Sequence, residues 1–347
     1  MILVTGATGF LGRNLCEFLV ARGRAIRALV RPQSNYAFLE ELGVELAWGD
    51  IREAETLAAA VRGCEAVIHA AAKFRFWGPW EEFYAANVVG TRNMLEASCR
   101  EGVGRFIYIS TIAVVGRPAP NLVITEEHPC TPLDHYQRTK LEAETMALRY
   151  YRERGLPVIV LRLGALYGPW GHYALNRLLF EDFLHGLRVR VHGGRHITFP
   201  LFVKDAAATI DTSLEKGRPG EIYNVSGQSI PQREANTIIC RLAGKRDWWI
   251  NVPGALMVAL ARAWTFLSNF TKKEPWYPIN LYPYVFYDWP VSSEKARLEL
   301  GFRPRSFEEG AYETLKWYAH FGLGKGPVIP VLELQEGRGE REPEPLH

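Results

Sequence analysis

Residues 2–12 read ILVTGATGFLG, an apolar run that leads into three glycines, Gly6, Gly9 and Gly12. Gly6 permits a tight turn, Gly9 lets a diphosphate approach the backbone, and Gly12 lets the following helix pack closely on a sheet. The helix that begins here offers free N–H groups and the positive end of its dipole to that diphosphate. The stretch therefore predicts a strand, a turn and a helix that bind a dinucleotide, with a tight turn that holds no ligand as the alternative.

Strand-like apolar runs recur through the first half of the chain and alternate with segments of helical period. They cover residues 1–5, 25–30, 45–48, 66–69, 105–109 and 158–163. Strands that alternate with helices form βαβ units, and continuous apolar runs indicate strands covered on both faces. The predicted fold is therefore α/β, a Rossmann-type doubly wound parallel sheet with a smaller mixed α/β substrate domain towards the C-terminus.

The regular alternation fades after about residue 170, where glycine, proline and aromatic residues interrupt it. We expect residues 1–170 to form the nucleotide-binding domain, joined by a later strand or helix from about 195–230. Residues 171–325 are expected to form the smaller substrate-binding region, which includes an aromatic insertion at 245–290. The tail 331–347 has almost no apolar residues and is expected to be disordered.

The composition excludes several classes of function. The 347 residues carry a formal net charge of +3, which by itself is too small to indicate a nucleic acid or an anionic membrane as partner. The five cysteines lie far apart without a C-x-x-C pair, so neither a metal site nor a disulfide framework is expected. Reduced thiols are typical of a cytoplasmic protein, which is the expected localisation. An uninterrupted run of 18 apolar residues is absent from the sequence, so we expect no spanning helix.

A candidate catalytic pair stands in the segment YQRTK, where Tyr136 and Lys140 lie one helical turn apart on one face. A phenol is a poor acid–base group at neutral pH, but a nearby ammonium lowers its pKa. Such a pair can exchange a hydroxyl proton while a hydride moves to or from a nicotinamide. Ser110 and Thr111 follow the strand-like run 105–109, and one of these hydroxyls is expected to hold the reacting oxygen.

The residue after the second predicted strand bears on the choice of cofactor. An acidic residue there would accept a hydrogen bond from the 2′-hydroxyl of NAD, but this chain has Arg31. A guanidinium group suits a 2′-phosphate. NADP(H) is therefore favoured, and NAD(H) stays open because Arg31 could simply be solvated.

Several separated motifs resemble the extended short-chain dehydrogenase/reductase family, that is, the NAD-dependent epimerase/dehydratase superfamily, over about residues 1–322. The motifs are TGATGFLG at 5–12, GDI at 49–51, HAAA at 69–72, NVVGT at 87–91, ISTIAVVG at 109–116, YQRTK at 136–140, RLGALYGP at 162–169 and LFVKDAA at 201–207. Residues 292–310 also resemble the closing segment of that family. The resemblance implies an NAD(P)-dependent enzyme that acts on CH–OH groups.

The resemblance also implies the roles of individual residues. Tyr136 would be the acid–base group, Lys140 its partner and Thr111 the catalytic hydroxyl. Thr111 replaces the commoner serine, and Val115 replaces the usual tyrosine. The residues expected to contact the cofactor, Arg31 included, are Gly6, Thr8, Gly9, Phe10, Leu11, Gly12, Arg31, Asp50, Ile51, Ala70, Ala71, Ala72, Asn87, Ser110, Tyr136, Lys140 and Leu163. Of these, Asp50 and Ile51 would flank the adenine ring, Ala70 and Ala71 would line the nicotinamide ribose, and Asn87 would support the network on the cofactor side.

The block at 69–95 and the insertion at 245–290 resemble the 3β-hydroxysteroid dehydrogenase-type branch. That branch implies interconversion of a secondary alcohol and a ketone on a small hydrophobic substrate, steroid- or lipid-like, and the aromatic residues of the insertion supply apolar contact area. One alternative is a nucleotide-sugar epimerase or dehydratase, whose diphosphate Arg177, Arg188, Arg190 and Arg195 could hold. Another is a non-catalytic NADP-sensing protein, against which the intact Thr111, Tyr136 and Lys140 argue.

Residues 254–270 raise a question about partners. The segment is apolar, is interrupted by Arg262, and is flanked by tryptophans and by Lys272 and Lys273. A core helix or a lid over the substrate is the favoured interpretation, with Trp264 facing either the core or the ligand. A peripheral membrane contact through residues 248–270 is the minority alternative. A homodimer is also left open.

Overall fold

The computed structural model describes residues 1–247 and 249–321. Within them lie thirteen strands, listed here in chain order: β1 Ile2–Thr5, β2 Ile26–Val30, β3 Glu45–Trp48, β4 Ala66–His69, β5 Arg105–Thr111, β6 Val158–Leu163, β7 Ala165–Tyr167, β8 Val189–Val191, β9 Ile197–Thr198, β10 Pro200–Phe202, β11 Ile222–Val225, β12 Ile230–Pro231 and β13 Ile250–Val252.

The same residues form thirteen α-helices: α1 Phe10–Ala21, α2 Ala37–Glu41, α3 Leu57–Val61, α4 Trp80–Phe83, α5 Gly90–Arg100, α6 His135–Arg154, α7 Asp182–Leu184, α8 Val203–Lys216, α9 Gln232–Leu242, α10 Gly254–Thr271, α11 Tyr282–Phe286, α12 Glu294–Leu300 and α13 Phe307–Phe321. A π-helical turn, Tyr84–Val89, joins α4 to α5 without a break. Among the described helices, none has both the length and the apolar character needed to cross a bilayer.

Seven strands form one parallel sheet in the order β11-β6-β5-β4-β1-β2-β3. The chain proceeds from β1 outwards to β3 and then returns to β4 on the other side of β1. The order therefore reverses between β1 and β4, where Thr5 is paired with His69. In open α/β sheets, ligands bind at the carboxyl ends of the strands beside such a reversal.

Helices cover both faces of the sheet. On one face, α1, α8 and α12 contribute Leu15, Ile210 and Leu300 to a buried cluster. On the other, α3, α5 and α6 contribute Leu57, Leu95 and Ala147. Because apolar layers lie on both sides, the strands read in sequence as continuous apolar runs.

All six strands expected from the sequence are present in the structure, and the α/β Rossmann-type fold is confirmed. β5 extends two residues beyond the expected run and ends at Thr111. From the later segment, α8 packs against α1 and β11 joins the sheet beside β6. The tail 331–347, expected to be disordered, lies outside the described residues, as do Trp248 and the end of the expected substrate region.

The remaining elements form two apolar clusters beside the carboxyl edge of the sheet. In one, α9 and α13 pack around Phe180. In the other, α10 packs through Met257 and Ala261 on Tyr277, Leu281 and Val285. This second cluster belongs to the expected aromatic insertion, and it closes one side of the site described below.

Candidate active site

A cleft of about 840 Å³ opens at the carboxyl ends of β1 to β6. Seventeen of the residues singled out in the sequence line it: Gly6, Thr8, Gly9, Phe10, Leu11, Gly12, Arg31, Asp50, Ile51, Ala70, Ala71, Ala72, Ser110, Thr111, Tyr136, Lys140 and Leu163. They come from seven separate stretches of the chain. Six of these stretches follow or end a strand at the same edge of the parallel sheet, and the seventh, with Tyr136 and Lys140, lies at the start of α6.

The glycine turn after β1 leaves no room for side chains at two positions. A Cβ on Gly6, whose φ is +72°, would lie 2.8 Å from the backbone nitrogen of Ala71, and one on Gly12 would lie 2.0 Å from the Gly6 oxygen. Gly9 is the N-cap of α1, with no side chain capping the helix and no acid in its first turn. The first-turn N–H groups therefore face the cleft uncapped, which fits the diphosphate of a dinucleotide.

Positive charge gathers at the end of the cleft beside β2 and β3. Arg31 is exposed there, and Asp50 accepts two hydrogen bonds from the guanidinium of Arg52, of 3.0 Å and 2.6 Å. The hydrogen bond from Arg52 lowers the pKa of Asp50, and the charges of Arg52 and Arg31 act in the same direction. Arg52 also lines the cleft, although the sequence analysis did not single it out.

A buried histidine fixes the HAAA segment at the centre of the cleft. His69 Nδ1 lies 2.8 Å from the Thr5 hydroxyl, and its Nε2 lies 3.0 Å from the Thr91 hydroxyl. Burial lowers the pKa of His69 to about 3, with a further contribution from the charge of Lys140. The ring is therefore neutral at physiological pH and serves as a bridge between β1, β4 and α5.

Tyr136 stands in the first turn of α6, which begins after Asp134. The Asp134 carboxylate accepts a 2.8 Å hydrogen bond from the backbone N–H of Gln137 and so caps the helix. The Tyr136 ring is half-buried, with the ring of Phe74 at 4.7 Å between centroids. The Thr111 hydroxyl, at the end of β5, is near enough to the Tyr136 hydroxyl to act on the pKa of that phenol. The phenol and one of the two expected hydroxyls thus meet at the floor of the cleft.

The sequence predicts that Lys140 lowers the pKa of Tyr136. For the protein without cofactor or substrate, this prediction is wrong. Burial raises the pKa of this phenol well above its ordinary value, and the Thr111 hydroxyl opposes that shift only in part. The physical reason is desolvation, which disfavours the phenolate. A phenol that stays protonated is suited to donating its proton rather than to accepting one.

Lys140 is buried one helical turn after Tyr136. Its Nζ donates a 2.6 Å hydrogen bond to the Ile109 carbonyl and lies 4.2 Å from the ring centroid of Tyr108. Burial lowers the pKa of this ammonium to about 7, while the nearby Glu144 carboxylate acts to raise it. Lys140 can therefore gain or lose a proton near neutral pH.

Glu144, one turn beyond Lys140, anchors a buried ion pair that the sequence analysis missed. Arg162 donates from Nε and Nη2 to Glu144, at 3.1 Å and 2.6 Å, and Ser110 donates to the same carboxylate at 2.6 Å. Arg162 is paired with Ser110 in the sheet register, which brings β6 under α6. In the sequence, the available signal for Glu144 was its i, i+4 spacing from Lys140, which places both residues on one face of a helix. Ser110 hydrogen-bonds Glu144, and Thr111 is the hydroxyl that reaches Tyr136.

Asn87 lies behind the cleft wall instead of lining it. It sits in the π-helical turn, where its Oδ1 accepts from the Lys73 N–H at 2.7 Å and its Nδ2 donates to the Thr139 hydroxyl at 3.0 Å. Asn87 therefore ties the segment after β4 to α6. It supports the site from outside without facing a ligand.

The other end of the cleft is mostly apolar. Its wall is formed by the side chains of Phe74, Phe76, Tyr173, Phe199, Leu281 and Val285. Trp264 packs against Trp276 at 5.6 Å, at the margin of the cluster around Leu281, and so belongs to the core.

The four arginines considered for a sugar diphosphate lie away from the cleft, and three of them donate hydrogen bonds to other groups. Arg177 donates to the Trp276 carbonyl at 2.6 Å, Arg188 to the Arg246 carbonyl, and Arg190 to Asp247. Arg195 is exposed. All four lie outside the residues that line the cleft. The proposal that they hold a diphosphate there is therefore not supported by their positions.

The sheet order, the uncapped glycine turn and the Thr111, Tyr136, Lys140 set define a dinucleotide-dependent enzyme of Rossmann fold. Residues 2–226 match the model of the NAD dependent epimerase/dehydratase family, and the chain belongs to that family. This is the extended short-chain dehydrogenase/reductase class, whose members are NAD-dependent enzymes that act on CH–OH groups.

Three relatives illustrate its range. The chain is 31% identical to sterol demethylase protein B of Methylococcus capsulatus, over 92% of this chain and 99% of that protein. It is 30% identical to a 4-hydroxy-2-methyl-3-oxo-4-farnesyl-3,4-dihydroquinoline-1-oxide ketoreductase of Stigmatella aurantiaca, over 93% and 98%. The structure of dTDP-glucose 4,6-dehydratase from Bacillus anthracis in complex with NAD is similar, with 26% identity, 92% and 97% coverage and a TM-score of 0.74.

Replacing the Tyr136 hydroxyl tests its role as the proton donor. We expect Tyr136→Phe to lower turnover by roughly a hundredfold to ten-thousandfold, because general acid–base help is lost while the ring still packs. Thr111→Val should also lower turnover, and Thr111→Ser should retain most of it, since serine keeps the hydroxyl. Steady-state kinetics and cofactor titration check this. A Tyr136→Phe enzyme with nearly full turnover would show that another group donates the proton.

The lowered pKa of Lys140 predicts a pH-dependent stability. The folded protein loses this proton near pH 7, whereas an unfolded lysine keeps it to about pH 10, so the free energy of unfolding rises with pH in between. Relative to Lys140→Met, the wild type should gain roughly 2 kcal/mol between about pH 7 and about pH 9. Urea unfolding of both proteins at these pH values measures the difference. Parallel pH profiles would mean that Lys140 has an ordinary pKa.

Proposed function

We propose that the protein interconverts a secondary alcohol and a ketone on a steroid- or lipid-like substrate, with NADP(H) as the preferred cofactor. The observation that carries the substrate class is the apolar wall of the cleft beside Tyr136. A pocket of aromatic and aliphatic side chains with few polar groups suits a large hydrophobic ligand. Two of the relatives, one named for a sterol and one for a farnesyl-bearing ketone, agree with this choice.

In this proposal the chain's own residues donate the proton and orient the carbonyl group of the substrate. Bound NADPH supplies the hydride for ketone reduction, and NADP⁺ accepts it in the reverse direction. Tyr136 donates its hydroxyl proton to the carbonyl oxygen of the ketone, and the Thr111 hydroxyl donates a hydrogen bond to the same oxygen. Lys140, one turn along α6, can gain or lose a proton near neutral pH and so is suited to returning a proton to Tyr136. The apolar wall excludes water from the reacting carbonyl.

Residues along the cleft would each hold one part of the cofactor. The first turn of α1 would bind the diphosphate, and the HAAA segment would lie beside the nicotinamide ribose. Arg31 and Arg52 would face the 2′-phosphate, since both guanidinium groups line that end of the cleft. The carboxylate of Asp50 is held by Arg52, which reduces its repulsion of a phosphate.

A nucleotide-sugar dehydratase or epimerase is the second candidate. The similarity to the dTDP-glucose 4,6-dehydratase structure favours it. A sugar nucleotide brings a diphosphate to the substrate end, and that end of the cleft offers Arg75, which lies 3.8 Å from Glu274 and stacks on Tyr173. Because Arg75 already has these partners, the ketone reaction is the better supported of the two.

Two ligand classes separate these candidates. In saturating NADP⁺, a long-chain or steroid ketone should raise the melting temperature of the wild type, and the ketone should support NADPH oxidation measured by absorbance. Phe74→Ala should lower kcat/KM for the large ketone by about tenfold, as expected for lost apolar contact. Trp264→Ala is the matched control, and it should lower the melting temperature without changing kcat/KM. Stabilisation by a UDP- or dTDP-sugar, with none by any hydrophobic ketone, would contradict the proposed substrate.

The cofactor preference has its own test. Arg31→Asp should weaken NADPH binding by about tenfold to a hundredfold, because a charge-assisted hydrogen bond to the 2′-phosphate is replaced by repulsion. NADH binding should be unchanged or stronger. Arg62→Asp, which makes the same charge change at an exposed arginine outside the cleft, is the control. Fluorescence titration of both nucleotides gives the ratio, and an unchanged ratio would show that Arg31 does not recognise the 2′ position.

A further inference from the structure

The outward face of α10 is apolar along its whole length. Met257, Ala261 and Ser268 point inwards and are buried. On the opposite side, Leu256, Leu260, Leu267 and Phe270 follow one another at spacings of four, seven and three residues, and their exposed fractions run from 37% to 71%. Phe266 joins them, with its ring 5.2 Å from that of Phe270. A contiguous exposed apolar patch of this kind marks an interaction surface.

The charges on the helix and on the two residues after it have one sign, and Glu274, which follows them, is hydrogen-bonded by the Tyr173 hydroxyl. Arg262 lies along the helix, and Lys272 and Lys273 follow its C-terminal end, all three exposed. Residues 254–273 contain no aspartate or glutamate. Lys272 adopts a left-handed conformation, with φ of +55°, that ends the helix and leaves the two lysines together. An apolar helix face bordered by cations suits an anionic lipid surface.

We propose that the outward face of α10 docks on an anionic bilayer, with Leu256, Leu267 and Phe270 in the acyl region and the three cations at the headgroups. A second copy of the chain is a poorer occupant, because a two-fold contact would bring the same cations together with no acid on either face. The bilayer supplies both the apolar phase and the negative charge that the face lacks.

The position of α10 gives the docking a consequence for the cleft. The cluster beneath the helix contains Phe76, Leu281 and Val285, and these three side chains also line the cleft. The inner side of α10 therefore packs behind one wall of the cleft, and its outer side meets the bilayer. A docked enzyme has its apolar cleft next to the phase in which hydrophobic molecules dissolve. The docking itself does not depend on which substrate the cleft takes.

Vesicle flotation tests the docking with the full chain. We expect wild-type protein to bind vesicles of phosphatidylcholine with about one-third phosphatidylglycerol, and to bind pure phosphatidylcholine less well. Leu256→Ser/Leu267→Ser should weaken binding at least tenfold, since two apolar contacts are lost. Lys272→Glu/Lys273→Glu should weaken it by at least about fivefold for each lysine replaced, on the anionic vesicles only, because each attraction is lost and replaced by repulsion. The control Leu122→Ser/Leu298→Ser removes two leucines of similar or greater exposure elsewhere and should bind as the wild type does.

A fluorophore on the face distinguishes the occupants. Leu267→Cys, in a background with the half-buried Cys99 and Cys130 replaced by serine, would carry an environment-sensitive dye. A blue shift on addition of anionic vesicles supports the proposal. A blue shift that grows with protein concentration alone would overturn it in favour of a second copy. If the dye in dilute protein without vesicles already emits as it does in an apolar environment, the face is covered by the chain itself, residues 322–347 included. That result would overturn the proposal. Absence of vesicle binding by the wild type would also overturn it.

Discussion

Close contact between backbones at the ends of β1 and β4 is the constraint on which the site depends. The turn after β1 lies against the backbone of Ala71, and α1 begins so near that turn that Gly12 has no space for a methyl group. This closeness aims the start of α1 at the cleft and leaves its N–H groups free. It also fixes the HAAA segment, since the Ala71 N–H donates to the Thr5 hydroxyl at 3.1 Å. The cofactor end and the catalytic end thereby share one rigid edge.

Buried charge is the second organising feature, and it serves the chemistry more than the stability. Lys140, Glu144 and Arg162 lie together beneath the cleft, each almost wholly removed from solvent. A buried ion pair is stable only when its remaining hydrogen bonds are satisfied, and Ser110 and the Glu126 carbonyl complete this one. The pair holds the ends of β5 and β6 against α6. The Thr111 hydroxyl and the Tyr136 phenol are positioned by that contact.

Much of the fold could be predicted because its signals are local. Residues 66–68 are apolar at every position inside the sheet, and the glycine turn needs its three residues within seven positions. β5 was predicted two residues short because Ser110 and Thr111 are polar. The pairing of Glu144 with Arg162 could not be predicted, since it depends on β6 lying beneath α6. The direction of the Tyr136 pKa was missed for a related reason: spacing along a helix says nothing about burial. The sequence likewise shows that Arg177 is basic but not that its guanidinium is bonded to a carbonyl.

The π-helical turn at Tyr84–Val89 sets a condition on chain length as well as on residue identity. Before it, Trp80 and Phe83 pack against the His135 ring at the start of α6, and after it, Gly90 lies against Ile51. Loss of one residue from this turn would restore an ordinary helix, but it would rotate everything on its N-terminal side by about 100°. Both sets of contacts could not then be kept. A surface loop would tolerate a single-residue deletion. Here the same deletion would break contacts, because the number of residues between the two packed ends is fixed.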